Sequence, residues 1–245
     1  MIQTAAIQLH QVTKRFRMTR QVSGSLKGIL MNLRHRRRAG WFTALDCVDL
    51  TVQRGETVAV IGANGSGKST LLGLVARVLR PTEGEVSVHG RVAPLLQLGV
   101  GFHPDLTGRE NIVFNGIILG LTRQEVQRRV DAIIAFAEME EFIDAPVHTY
   151  SSGMVLRLGF AVAAHTDPDV ILMDEVLAVG DQRFQRKCLD RVRRFQADGC
   201  SILLVTHEMA HVREVATRCI WVEHGRVVQD GAPDTVVNAY LESSE

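Results

Sequence analysis

Thr57–Ile61, a short β-branched and apolar run, leads directly into Gly62-Ala-Asn-Gly-Ser-Gly67-Lys68-Ser69. Beyond it, apolar side chains recur at 71, 72, 74, 75, 78 and 79 before Pro81. The run reads as a buried strand, and the spacing predicts a helix over 69–80. Strand, glycine-rich turn and helix in this order fit G-x-x-x-x-G-K-[ST], in which successive backbone N–H groups converge on phosphate oxygens at a positive helix end. Lys68 can then reach the β and γ phosphates of a nucleotide, and the Ser69 hydroxyl can ligate Mg²⁺. Gly62, Asn64, Gly65, Ser66, Gly67, Lys68, Ser69 and Thr70 are the candidate phosphate-holding residues.

A second element is Val170-Ile-Leu-Met-Asp174-Glu175, four apolar residues ending in two acids. A buried strand that ends in a carboxylate can hold Mg²⁺ through Asp174. The next carboxylate, Glu175, is then placed to activate water against the γ-phosphate. Ser201–Thr206 reads as another buried strand, and His207 at its tip is a candidate γ-phosphate contact. Behind a phosphate loop these patterns gain a meaning that neither has alone.

The remaining organisation agrees with an α/β chain. Ile7–Lys14 and Val48–Val52 read as strands, separated by a stretch at roughly 18–43 that is too long for a simple hairpin loop. Thr122-Arg-Gln-Glu125 is a capping box opening a helix with apolar positions 126, 130, 133, 134 and 137. Another helix starts near Ser151, so that about 98–166 forms a helical insertion between strand-rich parts. Strands alternating with helices imply a largely parallel sheet, and the 245 residues suit one generous domain.

Composition narrows the function classes. Apolar residues make up 46% and charged residues 22%, as in soluble globular proteins. The longest apolar stretch, Ile112–Leu121, is broken by Asn115, Gly116 and Gly120, which is too short to span a bilayer. No secretory signal is expected at the N-terminus, so any membrane component is expected from another chain. Cys47, Cys188, Cys200 and Cys219 show no C-x-x-C pairing, against a zinc site or disulfide scaffold and in favour of scattered reduced thiols. The net charge of +1 hides an asymmetry: residues 1–45 hold nine Lys and Arg and no acid. The rest carries 19 Lys and Arg against 27 acids, a balance of −8. The densest run, Arg34-His35-Arg36-Arg37-Arg38, is open to three readings: a solvated loop, an anionic membrane or phosphate-bearing cargo, or nucleic acid. Absence of interleaved aromatic residues disfavours the last.

With these motifs in order, Tyr150-Ser151-Ser152-Gly153-Met154-Val155-Leu156-Arg157 resembles the signature of the ATP-binding cassette (ABC) family, usually L-S-G-G-Q-x-Q-R. Ser151, Gly153 and Arg157 are retained, while Ser152 replaces a glycine and Met154 the glutamine. The resemblance extends to Ala178-Val-Gly-Asp181 as the D-loop, His207 as the switch histidine and Phe16 as the aromatic that stacks on adenine. It implies a P-loop NTPase with a RecA-like core, an antiparallel β part and an inserted helical subdomain. It also implies an ATPase using ATP and Mg²⁺, working as a homodimer. Ser151, Ser152, Gly153 and Asp181 of one copy would then meet the nucleotide held by the other. Family spacing counted from Thr107 puts a nucleotide- and metal-contacting glutamine at Leu98, one place from Gln97, the residue assigned that role here.

Three stretches look like the bacterial polysaccharide exporters of O-antigen, capsule and teichoic acid. They are Leu95–Asn111, Tyr150–Met154, and Asp174–Asp181 with Phe184, Lys187 and Cys188. The resemblance implies transmembrane permease partners, a lipid-linked glycan cargo near the basic N-terminal stretch, and a place at the cytoplasmic face of the inner membrane. Alternatives are an ABC ATPase of a small-molecule transporter, a soluble ABC ATPase acting on nucleic acid, and a regulatory ATP-binding protein without turnover. Glu175 and His207 argue against the last, and the lack of tandem cassettes or coiled-coil insertions against the second.

Overall fold

The computed structural model describes residues 5–18, 40–95, 99, 101–174 and 180–243. The basic run 34–38, Gln97, Leu98 and Glu175 lie outside the described residues. In chain order the elements are β1 (Ala5–Arg17), β2 (Trp41–Gln53), β3 (Thr57–Ile61), α1 (Lys68–Val75), β4 (Glu83–Val88) and β5 (Val92–Leu95). There follow α2 (Gly108–Ile118), α3 (Arg123–Ala137), α4 (Ser152–Ala163), β6 (Val170–Asp174), α5 (Gln182–Ala197) and β7 (Ser201–Val205). The chain closes with α6 (Met209–Val215), β8 (Arg218–Glu223), β9 (Arg226–Gly231) and α7 (Pro233–Ser243).

The three runs expected to be buried strands, now β3, β6 and β7, lie side by side in a six-stranded sheet of order β5-β6-β7-β3-β8-β9. Every pair in it is parallel except β8–β9. These runs are apolar throughout because both faces of the sheet are covered. Val58 and Val60 of β3, Leu172 of β6 and Leu203 and Val205 of β7 turn towards α1 and its leucines Leu71, Leu72 and Leu74. Ile171, Met173, Ile202 and Leu204, on the alternate positions of β6 and β7, meet Phe160 of α4 and Phe184, Cys188 and Val192 of α5. Ala59 and Ile61 instead join Val212, Val236 and Val237 of α6 and α7.

A second sheet, β2-β1-β4, is antiparallel and covers the far side of α1. Both long strands start or end beyond the sequence expectation, β1 running to Arg17 and β2 beginning at Trp41. Gln11 and Cys47, each with φ of +49°, coincide with the register shifts that bend this pair. The helix expected over 69–80 ends at Val75. Arg77 adopts φ +60° and its guanidinium donates 2.7 Å to the Val88 carbonyl, so a long-range anchor on β4 overrides the helical pattern. Leu79 still packs into the same core, while Val78 is 78% exposed.

Between β5 and β6 the chain forms the helical layer. The expected capping box is present: Thr122 Oγ1 accepts from the Glu125 N–H at 3.2 Å, and Glu125 accepts from the Thr122 N–H at 2.7 Å. All five apolar positions anticipated for α3 are buried, against Ile112 of α2 and Leu158, Ala161 and Val162 of α4. Thr107 and Glu110 form a second capping box that opens α2. Fully buried Asn111 ties the preceding turn together, its amide donating to the carbonyls of His103, Leu106 and Thr107 at 3.0–3.1 Å.

Cys188, Cys200 and Cys219 are buried, and desolvation pushes each thiol up to about 12. Cys47 is exposed. At pH 8 a chromogenic disulfide reagent should therefore titrate one thiol rapidly in the folded protein and all four only after guanidinium unfolding. Two or more fast thiols in the native protein would contradict this burial.

Candidate nucleotide site

The turn between β3 and α1 is shaped by close backbone contacts. Gly62 has φ +144° and Gly67 φ +113°. A Cβ on Gly62 would lie 2.1 Å from the Val222 carbonyl oxygen, and one on Gly67 2.5 Å from that of Ala44. No side chain at either position is compatible with this path. Gly67 caps α1 without a side chain, and the first turn of that helix contains no acid. Lys68 is 6% exposed, its Nζ donating to the carbonyls of Gly62 at 2.8 Å and Ala63 at 2.9 Å. The ammonium is thus curled over the loop that the glycines shape. Ser66 Oγ is buried without a hydrogen-bond partner among the described residues.

Sheet register carries the other groups to the same place. Asp174, last residue of β6, stands opposite Val205 of β7, which stands opposite Val60 of β3. His207 follows two residues after Val205. In parallel sheets the carboxyl ends of the strands share one edge, where ligands bind. Here Asn64, Gly65, Gly67, Lys68, Ser69, Thr70, Asp174 and His207 line one cleft of about 350 Å³. The fourth wall is β2, through Phe42 and Ala44.

Phe42 is the residue that sequence reasoning passed over. Phe16, the expected adenine partner, pairs with Phe42 across β1 and β2, so the two rings lie on one face of the sheet. Phe16 is not among the residues lining the cleft, whereas Phe42 is, at 48% exposure. Lys14 Nζ stands 5.0 Å from the centre of the Phe16 ring. The available signal was the apolar pair Trp41-Phe42 beside the basic stretch.

The signature residues stand apart from the cleft. Ser151 caps α4, its hydroxyl accepting from the Met154 N–H at 3.2 Å. Ser151 and Ser152 are exposed, and a Cβ on Gly153 would meet only Ser151 Oγ, 3.9 Å away. Arg157, one turn further, donates to Asp181 Oδ2 at 2.8 Å and stacks 5.1 Å above the Phe184 ring. Asp181 caps α5, accepting from the Phe184 N–H at 2.9 Å. That hydrogen bond, helped by Arg157, holds the Asp181 carboxyl below the usual carboxylate range. Gln97 and Glu175 follow the last described residues of β5 and β6 in sequence.

A family model described as "ABC transporter" matches residues 45–178. The O-antigen export system ATP-binding protein RfbB of Myxococcus xanthus is 49% identical over 97% of this chain, which spans 56% of that protein's length. The protein of the same name from Klebsiella pneumoniae is 44% identical, over 97% of this chain and 98% of its own. A solved dimeric bacterial ABC transporter cassette matches with a TM-score of 0.73 at 25% identity, over 93% of this chain and 98% of the other. The chain belongs to the ABC transporter family. Within it, the chain carries the ATP-binding and ATPase module, and its fold is that of the family's cassettes.

Phe42→Ala should weaken ATP binding by about 1–3 kcal/mol, the range for a stacked base, while leaving inorganic triphosphate binding unchanged. Titration with both ligands tests this, and an unchanged ATP affinity removes Phe42 from the site. Gly67→Ala should abolish binding of both, because the loop itself would have to move.

Proposed function

We propose that this chain is the ATP-hydrolysing subunit of an exporter that moves a lipid-linked polysaccharide, such as O-antigen, across the bacterial inner membrane. Two copies act together at the cytoplasmic face beside transmembrane permease subunits. No helix among the described residues is long and apolar enough to cross a membrane; the passage itself is assigned to the permease. The carrying observation is a separation of two groups of residues: one cleft gathers Lys68, Ser69, Asp174 and His207, while Ser151 and Ser152 are exposed at the start of another helix. Sequence identity of 49% and 44% to two O-antigen export ATP-binding proteins supports the cargo.

ATP lies in the cleft with its phosphates against the N–H groups of Gly65–Thr70 and the Lys68 ammonium, and its base near Phe42 and Phe16. Ser69 and Asp174, hard oxygen donors lining one cleft, would hold Mg²⁺, which would supply neutralisation of phosphate charge; Gln97 is the further candidate ligand. Glu175 accepts a proton from the attacking water and His207 contacts the γ-phosphate. Catalysis is mostly positioning and charge stabilisation, since phosphoryl transfer demands little covalent work from the protein. The open end of α4 in the second copy, where Gly153 leaves room that its own chain does not need, completes the site around the γ-phosphate. Asp181 stands beside it through Arg157. Closure of the pair moves the permease, and hydrolysis reopens it.

Glu175→Gln should keep ATP affinity, lower turnover by about 10²–10⁴-fold and accumulate an ATP-bound dimer in sedimentation. Wild-type turnover would remove Glu175 as the base. In the source cell the same substitution should deplete surface glycan and leave lipid-linked polysaccharide on the cytoplasmic side; normal surface glycan would discard the cargo while keeping the ATPase. Replacing Arg36–Arg38 by glutamates should lower export more than ATP hydrolysis if the basic run meets the anionic lipid linkage. Equal losses in both would count against that role.

A further inference from the structure

The C-terminal end of α4 is held in an unusual way. A helix leaves its last carbonyls without intrahelical partners, and they carry the negative end of its dipole. The last turn of α4 contributes no basic residue of its own. Instead three arginines, from α5, α3 and the segment just before β5, take the carbonyls of the C-cap residue Ala164 and of His165 and Thr166 directly after it. Arg191 of α5 donates through Nε at 3.0 Å and Nη2 at 2.6 Å to Ala164. Arg129 of α3 donates at 2.5 Å to His165. Arg91, just before β5, donates at 2.7 Å to Thr166.

The rest of that end is satisfied locally. His165 Nδ1 donates to Ala161 at 2.7 Å, and Thr166 Oγ1 donates to Ala163 at 2.8 Å. The arginines are themselves held: Arg129 by Asp167 at 2.7 Å, Arg91 by Glu125 at 3.7 Å, and Arg191 by stacking 4.7 Å from the Phe195 ring. Arg91 also donates its backbone N–H to Asp169 at 2.7 Å. Two of the three anchors therefore belong to the nucleotide-binding sheet and its helices, and one to the helical layer.

We propose that Arg91, Arg129 and Arg191 form a clamp that fixes the tilt of α4, and so are positioning residues for the nucleotide half-site at its other end. This rests on the reading that Ser151–Gly153 meet ATP held by a second copy. A rod of 12 residues is roughly 18 Å long at 1.5 Å per residue. Pivoting it by about 5° at the clamp carries Ser151 about 1.5 Å sideways, beyond what a hydrogen bond tolerates. The N-terminal half is held too, by Arg157 on Asp181 and Glu138 and by Met154, Leu156 and Leu158 against the cores, and the clamp sets the far end about which that half is aimed. Among the described residues, the partners of the three arginines are all outside the lining of the phosphate-loop cleft.

The test uses the full chain carrying Glu175→Gln, in which ATP is not consumed. Arg191→Lys keeps the charge but loses the fork on Ala164; Arg129→Ala, at a partly exposed position, is the second variant and decides alone if the first does not fold. Binding of a fluorescent ATP analogue to dilute monomer should stay within twofold of the parent. The ATP-dependent dimer dissociation constant, from sedimentation velocity, should rise tenfold or more. Combining either substitution with Ser151→Ala should weaken the dimer less than the product of the single effects. A change confined to general folding would instead lower monomer nucleotide affinity in parallel, and that result overturns the clamp. So does an unchanged dimer constant in both arginine variants where Ser151→Ala weakens it, or strictly multiplicative combination. If Ser151→Ala itself leaves the dimer unchanged, the reading of the α4 end as a half-site fails, and the clamp's role fails with it.

Discussion

The carbonyl of Ala44 stands where side chains on Gly67 and Gly225 would have to go, 2.5 Å and 2.7 Å from their notional Cβ atoms. Around that contact the Gly225 N–H donates to Ser66 and the Asp46 N–H donates to Gly225, each at 2.9 Å. Arg226 pairs with Asp46 on the surface above. The phosphate loop is thus pinned between the antiparallel sheet and the β8–β9 turn, elements far from it in sequence. Its anion-binding shape belongs to this three-way backbone junction as much as to its own glycines. Every group in the cleft takes its place relative to that junction.

From there the geometry spreads in two directions. Along the sheet, the matched register of β6, β7 and β3 brings Asp174 and His207 to the loop. Across the sheet, Phe160 of α4 and Phe184 of α5 pack edge-to-face at 6.3 Å beneath Ile171 and Met173. The same two helices are joined again through Arg157 and Asp181. The start of α4 is therefore fastened to the strand that presents Asp174, so the signature residues and the cleft of one chain share a rigid support.

Much of this was legible because it is local or strictly periodic. The phosphate loop, the doubly covered strands and the α3 capping box each announce themselves within fifteen residues. What escaped depends on partners distant in sequence. β4 and β9 carry weak apolar patterns, largely exposed, and exist through pairing with β1 and β8. The early end of α1 follows from the reach of Arg77 to Val88. Phe42 enters the cleft only because the register of β1 and β2 places it across from Phe16. The second capping box, Thr107 to Glu110, was written as plainly as the first and needed only the same rule.

The central strand of the sheet has a further consequence. β3 pairs with β7 through Thr57↔Ile202 and with β8 through Val58↔Arg218, so both its neighbours lie more than 140 residues later. A ribosome emitting this chain releases the glycine loop early, yet nothing then exists to flank its strand or to donate the Gly225 N–H. The helical layer, whose contacts are short-range, can condense first. The loop after β3 consequently gains both flanking strands and its Gly225 contact only after the chain has passed about residue 225.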